Sequence, residues 1–346
     1  MNVLMFSKDP QALVSGSATH SRMREYAEAL GQLHIIVRTR ELGHMAVSNG
    51  LFLYPSASRG VLGYIRAWHI GAMLCRRHRF DAISAQAPDI LGCVAFLLSR
   101  RFHIPLQIQL HTDYMSPHYR RAGWKERIHY QLARFLIPRA DRIRVVSERI
   151  RRSLIGTFQT KSGTRSRLSL ESLERRIAVL PIFTDASRFI TAAPDPETER
   201  RFSGYNFKMI AVGRFVDKEK NFSMLISVMR LFVRISPQAL LMIVGEGPDR
   251  MNYELRIRNY ELGKNIVIEP WRDDLPSFYK SFDLFVSPSN YEGWGRAVIE
   301  AMAAGLAVVM TDTGLAGEVV KNGENGIVVP VGDAQAFLRA IKTLYE

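Results

Sequence analysis

The sequence predicts an α/β protein of two domains, each built on a parallel sheet with helices on both faces. The chain has 346 residues, and at roughly 100–200 residues per domain this length suits two domains. Short apolar segments alternate with amphipathic ones, as in repeated strand–helix units. A proline-rich polar segment at residues 191–197 separates two halves of similar size and is typical of a linker. We therefore predict domains at residues 1–190 and 191–346.

The alternation of strands and helices can be followed through both halves. Strands are predicted at short runs rich in Val, Ile and Leu, and helices where apolar residues recur every three or four positions. In the first half, the predicted strands are residues 2–6, 34–37, 82–85, 106–110 and 142–146, and the predicted helices are residues 21–30 and 90–98. In the second half, the predicted strands are residues 209–212, 240–244, 266–268, 284–286, 307–311 and 326–329, and the predicted helices are residues 222–233 and 334–345. Strands joined through helices run parallel.

Composition excludes several classes of protein. Hydrophobic residues make up 47% of the chain and charged residues 23%, which is ordinary for a globular protein and excludes disordered, collagen-like and coiled-coil chains. The two cysteines, Cys75 and Cys93, have no metal-ligand spacing, so a zinc site or a disulfide scaffold is not expected, and a reducing cytoplasm fits. The longest apolar run, near residues 90–98, is shorter than the ~20 residues that span a bilayer. We expect a cytoplasmic protein without a transmembrane helix.

Positive charge is concentrated in the first half. The net charge is +14, and residues 1–190 hold 29 Lys/Arg against 13 Asp/Glu, whereas residues 191–346 hold 18 against 20. The excess is greatest at residues 118–152, which interleave basic side chains with Trp124, Tyr130, Phe135 and Leu136. Such a segment favours an anionic partner, and the aromatic residues favour an anionic membrane surface. The alternative is a solvated basic helix face.

The segment at residues 287–302 predicts a phosphate site. A predicted strand runs into a turn that contains Gly293 and Gly295, and a helix follows. The backbone N–H groups of Gly295, Arg296 and Ala297 are then expected at a helix N-terminus, which favours a phosphate group.

Two acids flank this turn. Glu292 lies in the loop, and Glu300 lies eight residues later, about one turn into the helix. Carboxylate oxygens accept hydrogen bonds from hydroxyl groups, so the combination indicates a nucleotide-sugar site. Taken alone, the same residues also fit a loop acid and a helix acid stabilised by the helix dipole.

These acids resemble the E-x7-E signature of retaining glycosyltransferases of family 4, which have the GT-B fold. Further segments resemble motifs of that family in the right order. They are Leu110-His111, Ala140-Asp141 with Ser147-Glu148, Gly213-Arg214 with Lys220-Asn221, Gly245-Glu246-Gly247-Pro248, Ala304-Gly305, Gly314 with Glu318, and Asn325-Gly326. The resemblance covers nearly the whole chain. It implies two Rossmann-like domains whose parallel sheets face a central cleft, with the acceptor bound by residues 1–190 and the donor by residues 191–346.

The resemblance also implies roles for individual residues. Glu292 would contact the hydroxyls of the donor sugar, and Glu300 would hold the ribose hydroxyls. Arg214 and Lys220 would neutralise the diphosphate, and His111 would lie beside the donor sugar. The other implied donor-binding positions are Gly16, Gly213, Gly245, Gly293, Gly295, Arg296 and Ala297, with Gly16 allowing the backbone to approach the phosphates. Each side chain has an ordinary alternative, such as a packed histidine at position 111 and loop cations at positions 214 and 220.

The implied reaction is transfer of a hexose from a nucleoside-diphosphate sugar, with retention and without a protein nucleophile. The chain has no D-x-D motif, and the nearest segment, Asp195-Pro196-Glu197, falls in the predicted linker. Arg214, Lys220 and the helix N-terminus can stabilise the departing diphosphate instead. We therefore expect no metal and no cofactor, because the nucleotide sugar is a substrate.

The expected acceptor is a glycan or a lipid-linked molecule, as in the synthesis of cell-surface polysaccharide or glycolipid. An anionic membrane surface would bind residues 118–152, which places the protein at the inner face of the cytoplasmic membrane. A specific nucleic-acid partner is not expected. Two alternatives remain: a sugar-nucleotide epimerase of the same fold, and an inactive transferase fold that acts as a basic membrane- or nucleic-acid-binding module.

The chain departs from the family pattern in places. Arg296 stands where an aliphatic residue is common, and Trp294 replaces the usual phenylalanine. Family members often continue with a helix that crosses back to the first domain, and we expect this helix to be missing here. A dehydrogenase is disfavoured, because the glycine pair at positions 245 and 247 is followed by Arg250 at the third glycine position of that fingerprint.

Overall fold

The structure is a computed structural model that describes residues 1–40, 47–58, 60–159, 170–272 and 274–346. It divides into two compact units, Met1–Leu180 and Pro181–Glu346. Each unit contains one sheet covered by helices, so the predicted α/β class with two Rossmann-like domains is confirmed.

The first unit contains an eight-stranded sheet. Its strands are β1 (Asn2–Ser7), β2 (Gln32–Val37), β3 (Val47–Ser48), β4 (Leu51–Pro55), β5 (Ala82–Ala85), β6 (Leu106–Leu110), β7 (Arg142–Val145) and β8 (Ile177–Val179). They are arranged in the order β3-β4-β2-β1-β5-β6-β7-β8, and all neighbours pair parallel except β3 with β4. The central strands are apolar on both faces, as buried parallel strands are.

Seven helices belong to the described part of the first unit. They are α1 (Ala18–Leu30), α2 (Leu62–Arg77), α3 (Ile90–Phe102), α4 (Pro117–Arg121), α5 (Trp124–Leu136), α6 (Glu148–Gln159) and α7 (Leu170–Glu174), with short 3-10 helices at Pro10–Leu13 and Ile137–Arg139. Capping follows the sequence: Ser17 accepts a hydrogen bond from His20 at the start of α1, and Asp89 accepts two at the start of α3.

The second unit contains a six-stranded parallel sheet. Its strands are β9 (Phe207–Val212), β10 (Ala239–Val244), β11 (Ile266–Glu269), β12 (Leu284–Ser287), β13 (Ala307–Thr311) and β14 (Ile327–Val329), in the order β11-β10-β9-β12-β13-β14. Strands β10 and β11, which follow β9 in the chain, lie on one side of β9 in the sheet. Strands β12, β13 and β14 lie on its other side. The carboxyl ends of β9 and β12 therefore flank the point where the strand order reverses, which is where open α/β sheets bind ligands.

The helices of the second unit pack on both faces of this sheet. They are α8 (Ser187–Ile190), α9 (Pro196–Arg201), α10 (Asp217–Lys220), α11 (Phe222–Phe232), α12 (Arg250–Asn259), α13 (Leu275–Tyr279), α14 (Arg296–Ala303) and α15 (Ala334–Tyr345). The last helix buries Phe337, and its Tyr345 ring packs against Phe207 and Phe232 at centroid distances of 5.3 and 5.5 Å. No helix in the described part of the chain has the length and apolar content needed to cross a bilayer.

The units divide earlier than the boundary predicted at residue 190. Phe189 of α8 is buried and lies 5.8 Å from the ring of Tyr279 in α13, so this segment packs with the second unit. The segment predicted as a linker is also structured, because Asp195 accepts hydrogen bonds from Thr198 and starts α9. Its proline marks a helix start rather than a linker.

Candidate functional site

Two glycine-rich turns lie against each other at the carboxyl ends of β9 and β10. Phe215 donates a backbone hydrogen bond to the carbonyl of Glu246 at 2.7 Å. A Cβ atom on Gly245 would lie 2.0 Å from the carbonyl oxygen of Gly213, and one on Gly247 would lie 2.5 Å from that of Phe215. Both Gly245 and Gly247 have positive φ, at 149° and 154°. Glycine is therefore required at these positions for close approach of the two turns.

The loop after β12 is attached to the turn that contains α10. Asn290 donates its backbone N–H to the carbonyl of Glu219 at 2.8 Å and its side-chain amide to the carbonyl of Lys218 at 3.2 Å. Its Oδ1 accepts a hydrogen bond from Asn221 at 3.1 Å. Asn221 adopts the left-handed conformation, which asparagine tolerates better than most residues. Asn290 thus holds the loop that carries Glu292 against the turn that carries Lys220.

A chain of charged side chains occupies the place where these loops meet. Lys220 Nζ donates to Glu292 Oε1, which also accepts from Ser289 Oγ at 2.9 Å. Glu219 accepts from Arg214 at 2.9 Å and lies 3.9 Å from Lys220 Nζ. Three predicted donor-site residues, Arg214, Lys220 and Glu292, are therefore in one cluster.

Burial and charge act in opposite directions on Lys220. Its side chain is 17% exposed and that of Glu292 is 14% exposed. Burial by itself lowers the pKa of the Lys220 amino group, but the neighbouring Glu292 and Glu219 carboxylates raise this pKa above its ordinary value. Lys220 is consequently a firmly charged cation at neutral pH.

Helix α14 begins at Arg296, four residues after Glu292 of this cluster in the sequence. Gly295 precedes the helix in the left-handed conformation, at φ 95°. The loop after β13 supports it, because Leu315 donates its N–H to the carbonyl of Trp294 at 3.0 Å. Within the described residues, the backbone N–H groups of Gly295, Arg296 and Ala297 make no hydrogen bond. They are available to an anion, as the sequence predicts.

Glu300 lies one turn into α14 and is buried. Its Oε1 pairs with Arg296 Nε at 2.8 Å. Burial raises the pKa of the Glu300 carboxyl, and the positive charges of Arg296 and Arg188 oppose this rise. Tyr279 of α13 contacts the same helix through its hydroxyl, which donates to the carbonyl of Ala297 at 3.5 Å.

In the first unit, His111 follows β6 and Gly16 precedes α1. Because β1 and β6 are parallel strands of one sheet, both residues follow strands at the same edge. Burial, together with the nearby cations Arg144 and Arg22, lowers the pKa of His111 to about 4. Gly16 has φ 84°, and no atom lies within 4 Å of where its Cβ would be. The backbone at Gly16 is thus open to a ligand.

Two sequence families match the chain and together cover most of it. The family described as "Glycosyl transferase 4-like domain" matches residues 16–163, and "Glycosyl transferases group 1" matches residues 197–346. The chain belongs to the group 1 glycosyltransferases. The family resemblance seen in the motifs is therefore confirmed.

Relatives of this glycosyltransferase include two curated bacterial proteins. The lipopolysaccharide core biosynthesis glycosyltransferase LpsE of Rhizobium meliloti is 28% identical over 185 residues, which is 53% of this chain and 51% of that protein. The uncharacterized glycosyltransferase YqgM of Bacillus subtilis is 28% identical over 324 residues, which is 91% of this chain and 79% of that protein. The match to LpsE thus spans about half of that relative's length.

The fold is shared with solved structures. The structure of Anabaena HepE in complex with UDP and glucose superposes with a TM-score of 0.71 at 19% sequence identity, covering 100% of this chain and 90% of that one. This likeness establishes the GT-B type of fold for the chain of this group 1 glycosyltransferase. The roles of the individual site residues stay predictions.

Sequence reasoning missed several residues of this glycosyltransferase's site. Asn290, Ser289 and Glu219 hold the loops of the candidate site together, yet none belongs to a motif that signals its role. In the first unit, Asp113 follows His111 by two residues, is buried, and accepts hydrogen bonds from Ser153 Oγ and the Met115 N–H. The signal that could have found it is an acid directly after a strand end, which commonly stabilises a turn.

The basic segment at residues 118–152 forms α4, α5, β7 and the start of α6. On α5, Trp124 is 68% exposed, and Ile128 and Phe135 are also exposed. Arg139 lies over the Phe135 ring at 4.1 Å. The first unit of this glycosyltransferase therefore presents exposed apolar side chains among cations.

Proposed function

We propose that this protein is a retaining hexosyltransferase that uses a nucleoside-diphosphate sugar and a glycan or lipid-linked acceptor, without a metal ion. The observation that carries the proposal is the cluster of Arg214, Lys220 and Glu292 next to a helix start with unpaired N–H groups. Cations and N–H donors suit a diphosphate, and carboxylates suit sugar hydroxyls. The retaining outcome follows from the family resemblance alone.

The cluster fits the electrostatic demand of the reaction. Cleavage of the bond between sugar and phosphate leaves a diphosphate on which negative charge grows. Lys220 and Arg214, together with the N-terminus of α14, supply fixed positive charge for that group. This arrangement supports a reaction that needs no divalent cation, because protein groups can take over its electrostatic role.

The relatives support a uridine nucleotide and a cell-surface product. The HepE structure is described with UDP and glucose, and the Rhizobium relative is named for lipopolysaccharide core biosynthesis. We therefore propose a UDP-hexose as donor and a cell-surface polysaccharide or glycolipid as product.

A thermal-shift panel tests the donor site. UDP, GDP and ADP are added in EDTA to wild type and to Glu300→Ala, because a ligand that binds only the folded state raises the melting temperature. We expect UDP to stabilise wild type and the variant to lose the shift. If no diphosphate stabilises wild type with or without Mg²⁺, the proposal is wrong; stabilisation only with Mg²⁺ overturns metal independence.

Turnover separates an enzyme from a binding module. We expect wild type to release UDP from UDP-hexose in the presence of a lipid-linked acceptor, and Glu292→Ala to lose about 10²–10³ of that rate. An inactive fold acting as a basic binding module would show the same anion binding in both proteins and no turnover. The anomeric configuration of the product, read by NMR, tests retention.

The exposed aromatic and basic residues of α5 support binding at the inner face of the cytoplasmic membrane. Aromatic and aliphatic side chains insert at the headgroup level while arginines attract anionic lipids. We expect the protein to co-sediment with phosphatidylglycerol vesicles at low salt and the double variant Trp124→Ser, Phe135→Ser to lose most of that binding. Leu255→Ser, at an apolar residue on α12 whose exposure of 48% is close to the 44% of Phe135, is the control. Absence of wild-type binding overturns this part.

A further inference from the structure

Two Arg–Glu pairs in the second unit have the same local geometry but different surroundings. Arg296 Nε lies 2.8 Å from Glu300 Oε1 in α14, and Arg250 Nε lies 2.8 Å from Glu254 Oε1 in α12, both at a spacing of four residues. The Glu300 side chain is 8% exposed, whereas that of Glu254 is 46% exposed. Only the first arginine therefore holds a buried carboxylate.

A buried carboxylate is costly to ionise unless a positive charge lies close by. The groups that face Glu300 come from three helices: Arg296 from its own helix, Arg188 from α8 and Tyr279 from α13. Strands β12 and β13, which also pack on α14, contain no titratable residue. Arg296 is the ion-pair partner of Glu300, so its loss removes the nearest compensating charge.

The pairing leaves part of Glu300 available. The closest contact of the pair joins Arg296 Nε to Oε1, so Oε2 is the oxygen farther from that guanidinium nitrogen. The vicinal hydroxyls of a ribose offer two O–H donors. The ionised carboxylate keeps free lone pairs on both oxygens, including Oε1 beside Arg296, whereas protonation turns one oxygen into a donor and removes acceptor sites. Recognition of a diol by Glu300 therefore depends on its charge.

We propose that Arg296 is a positioning residue that keeps Glu300 ionised and oriented for the ribose hydroxyls, and that it extends donor binding to lower pH. The proposal rests on the proposed function, since it assumes that a nucleoside diphosphate binds at this site. The substitution Arg296→Lys would keep the positive charge but lose the fixed geometry of the guanidinium.

The test is the dissociation constant of UDP, measured by calorimetry from pH 5.0 to 8.0. The proteins are wild type, Arg296→Leu, Arg296→Lys and the matched control Arg250→Leu. The ratio of the variant constant to the wild-type constant is taken at each pH, which cancels the titration of UDP itself. We expect this ratio for Arg296→Leu to rise about tenfold from pH 8 to pH 5, equivalent to a pKa rise of about one unit. Arg296→Lys and Arg250→Leu should give nearly constant ratios.

A second measurement does not depend on the ligand. Carboxyl ¹³C NMR of wild type and Arg296→Leu reports the pKa of Glu300 directly, and the signal is assigned with Glu300→Gln. We expect the pKa to be higher in Arg296→Leu. An equal pKa in the two proteins, or a UDP ratio that does not change with pH, overturns the role of Arg296. If UDP fails to bind wild type while the pKa still rises in the variant, the donor function is wrong and Arg296 controls only the charge of Glu300.

Discussion

The two units share one architecture but use the carboxyl edges of their sheets differently. In the second unit, loops after four strands contact one another through glycine backbones, through Asn290 and through the Lys220–Glu292 pair. In the first unit, the described edge carries His111 and an ion pair between two loops, Lys8 with Asp89, and the excess of positive charge lies on exposed helices such as α5. A site fixed by contacts between loops is predicted to be sensitive to single substitutions. A surface that acts through its summed charge is predicted to tolerate single substitutions.

The largest effect is expected at Lys220. Lys220→Ala leaves the Glu292 carboxylate, which is only 14% exposed, without its cationic partner. Since breaking a buried pair costs about 3–5 kcal/mol of stability, we expect a loss near the lower end of that range for this largely covered pair. Arg214→Ala removes a cation that is 66% exposed, so its effect on stability should stay below about 1 kcal/mol. We expect the turnover rate of both variants to fall by a factor of about 10²–10³, because each substitution removes a positive charge that would stabilise the diphosphate.

Urea unfolding and steady-state kinetics on the same preparations check this pair. Equal destabilisation by the two variants would contradict the burial argument. Normal turnover in Arg214→Ala would remove that residue from the donor site.

The close contact between the two glycine turns predicts the next effect. Gly247→Ala places a Cβ 2.5 to 2.8 Å from backbone atoms of Phe215 at a strained φ, and we expect a loss of about 3 kcal/mol. Gly305 also has positive φ, but nothing lies within 4 Å of its Cβ position. Gly305→Ala should therefore cost only about 1 kcal/mol. Chemical unfolding of both variants compares the cost of steric crowding with the cost of backbone strain. Equal losses of stability would mean that backbone strain alone accounts for the effect.

The sequence predicts most strands of both sheets and the clustering of Arg214, Lys220 and Glu292 in the candidate site, because these follow local rules and the family resemblance. Apolar runs identify buried strands, and the E-x7-E spacing places Glu292 and Glu300 on opposite sides of a helix start. The contacts of Asn290 could not be predicted, since they join segments about 70 residues apart through backbone carbonyls. The pairing of Arg296 with Glu300 could have been expected from the spacing of four residues, but the burial of Glu300 depends on α8 and α13.

The same limit explains what was missed in the fold. Strands β4 and β8 were not predicted, although both are apolar, because runs of five and three residues are too short to show a period. The predicted boundary at residue 190 differs from the division after Leu180 because residues 181–190 mix apolar and polar side chains without a period, and one buried side chain, Phe189, anchors them to the second unit. A single anchoring contact of this kind has no periodicity that a sequence pattern could reveal.

Asn290 gives a smaller and more local effect. Asn290→Ala removes two side-chain hydrogen bonds to the turn that carries Lys220, while the backbone N–H bond to Glu219 remains. We expect a loss of about 1–2 kcal/mol in stability and a higher KM for the donor with a smaller change in kcat. Asn252→Ala, which removes one exposed hydrogen bond on α12, is the control. An unchanged KM would show that the loop holds its position without this residue.

The smallest effect is the response of the first unit to acid. Burial lowers the pKa of His111 to about 4, with Arg144 and Arg22 contributing, and burial together with His78 lowers that of His34 to about 4. Both rings stay neutral in the folded chain until the pH approaches 4, whereas in the unfolded chain each imidazole has a pKa of about 6.5. Their contribution to stability is therefore complete above pH 6.5 and is lost as the pH falls towards 4, at about 1 kcal/mol per ring by pH 5.5. His111→Gln should weaken this dependence in urea titrations at pH 7.5 and 5.5, while His118→Gln, at an exposed position on α4, should leave it unchanged. A wild-type protein with equal stability at both pH values would mean that both His34 and His111 protonate freely in the folded chain. The difference in burial that sets His111 apart from the exposed cations of α5 would then not hold.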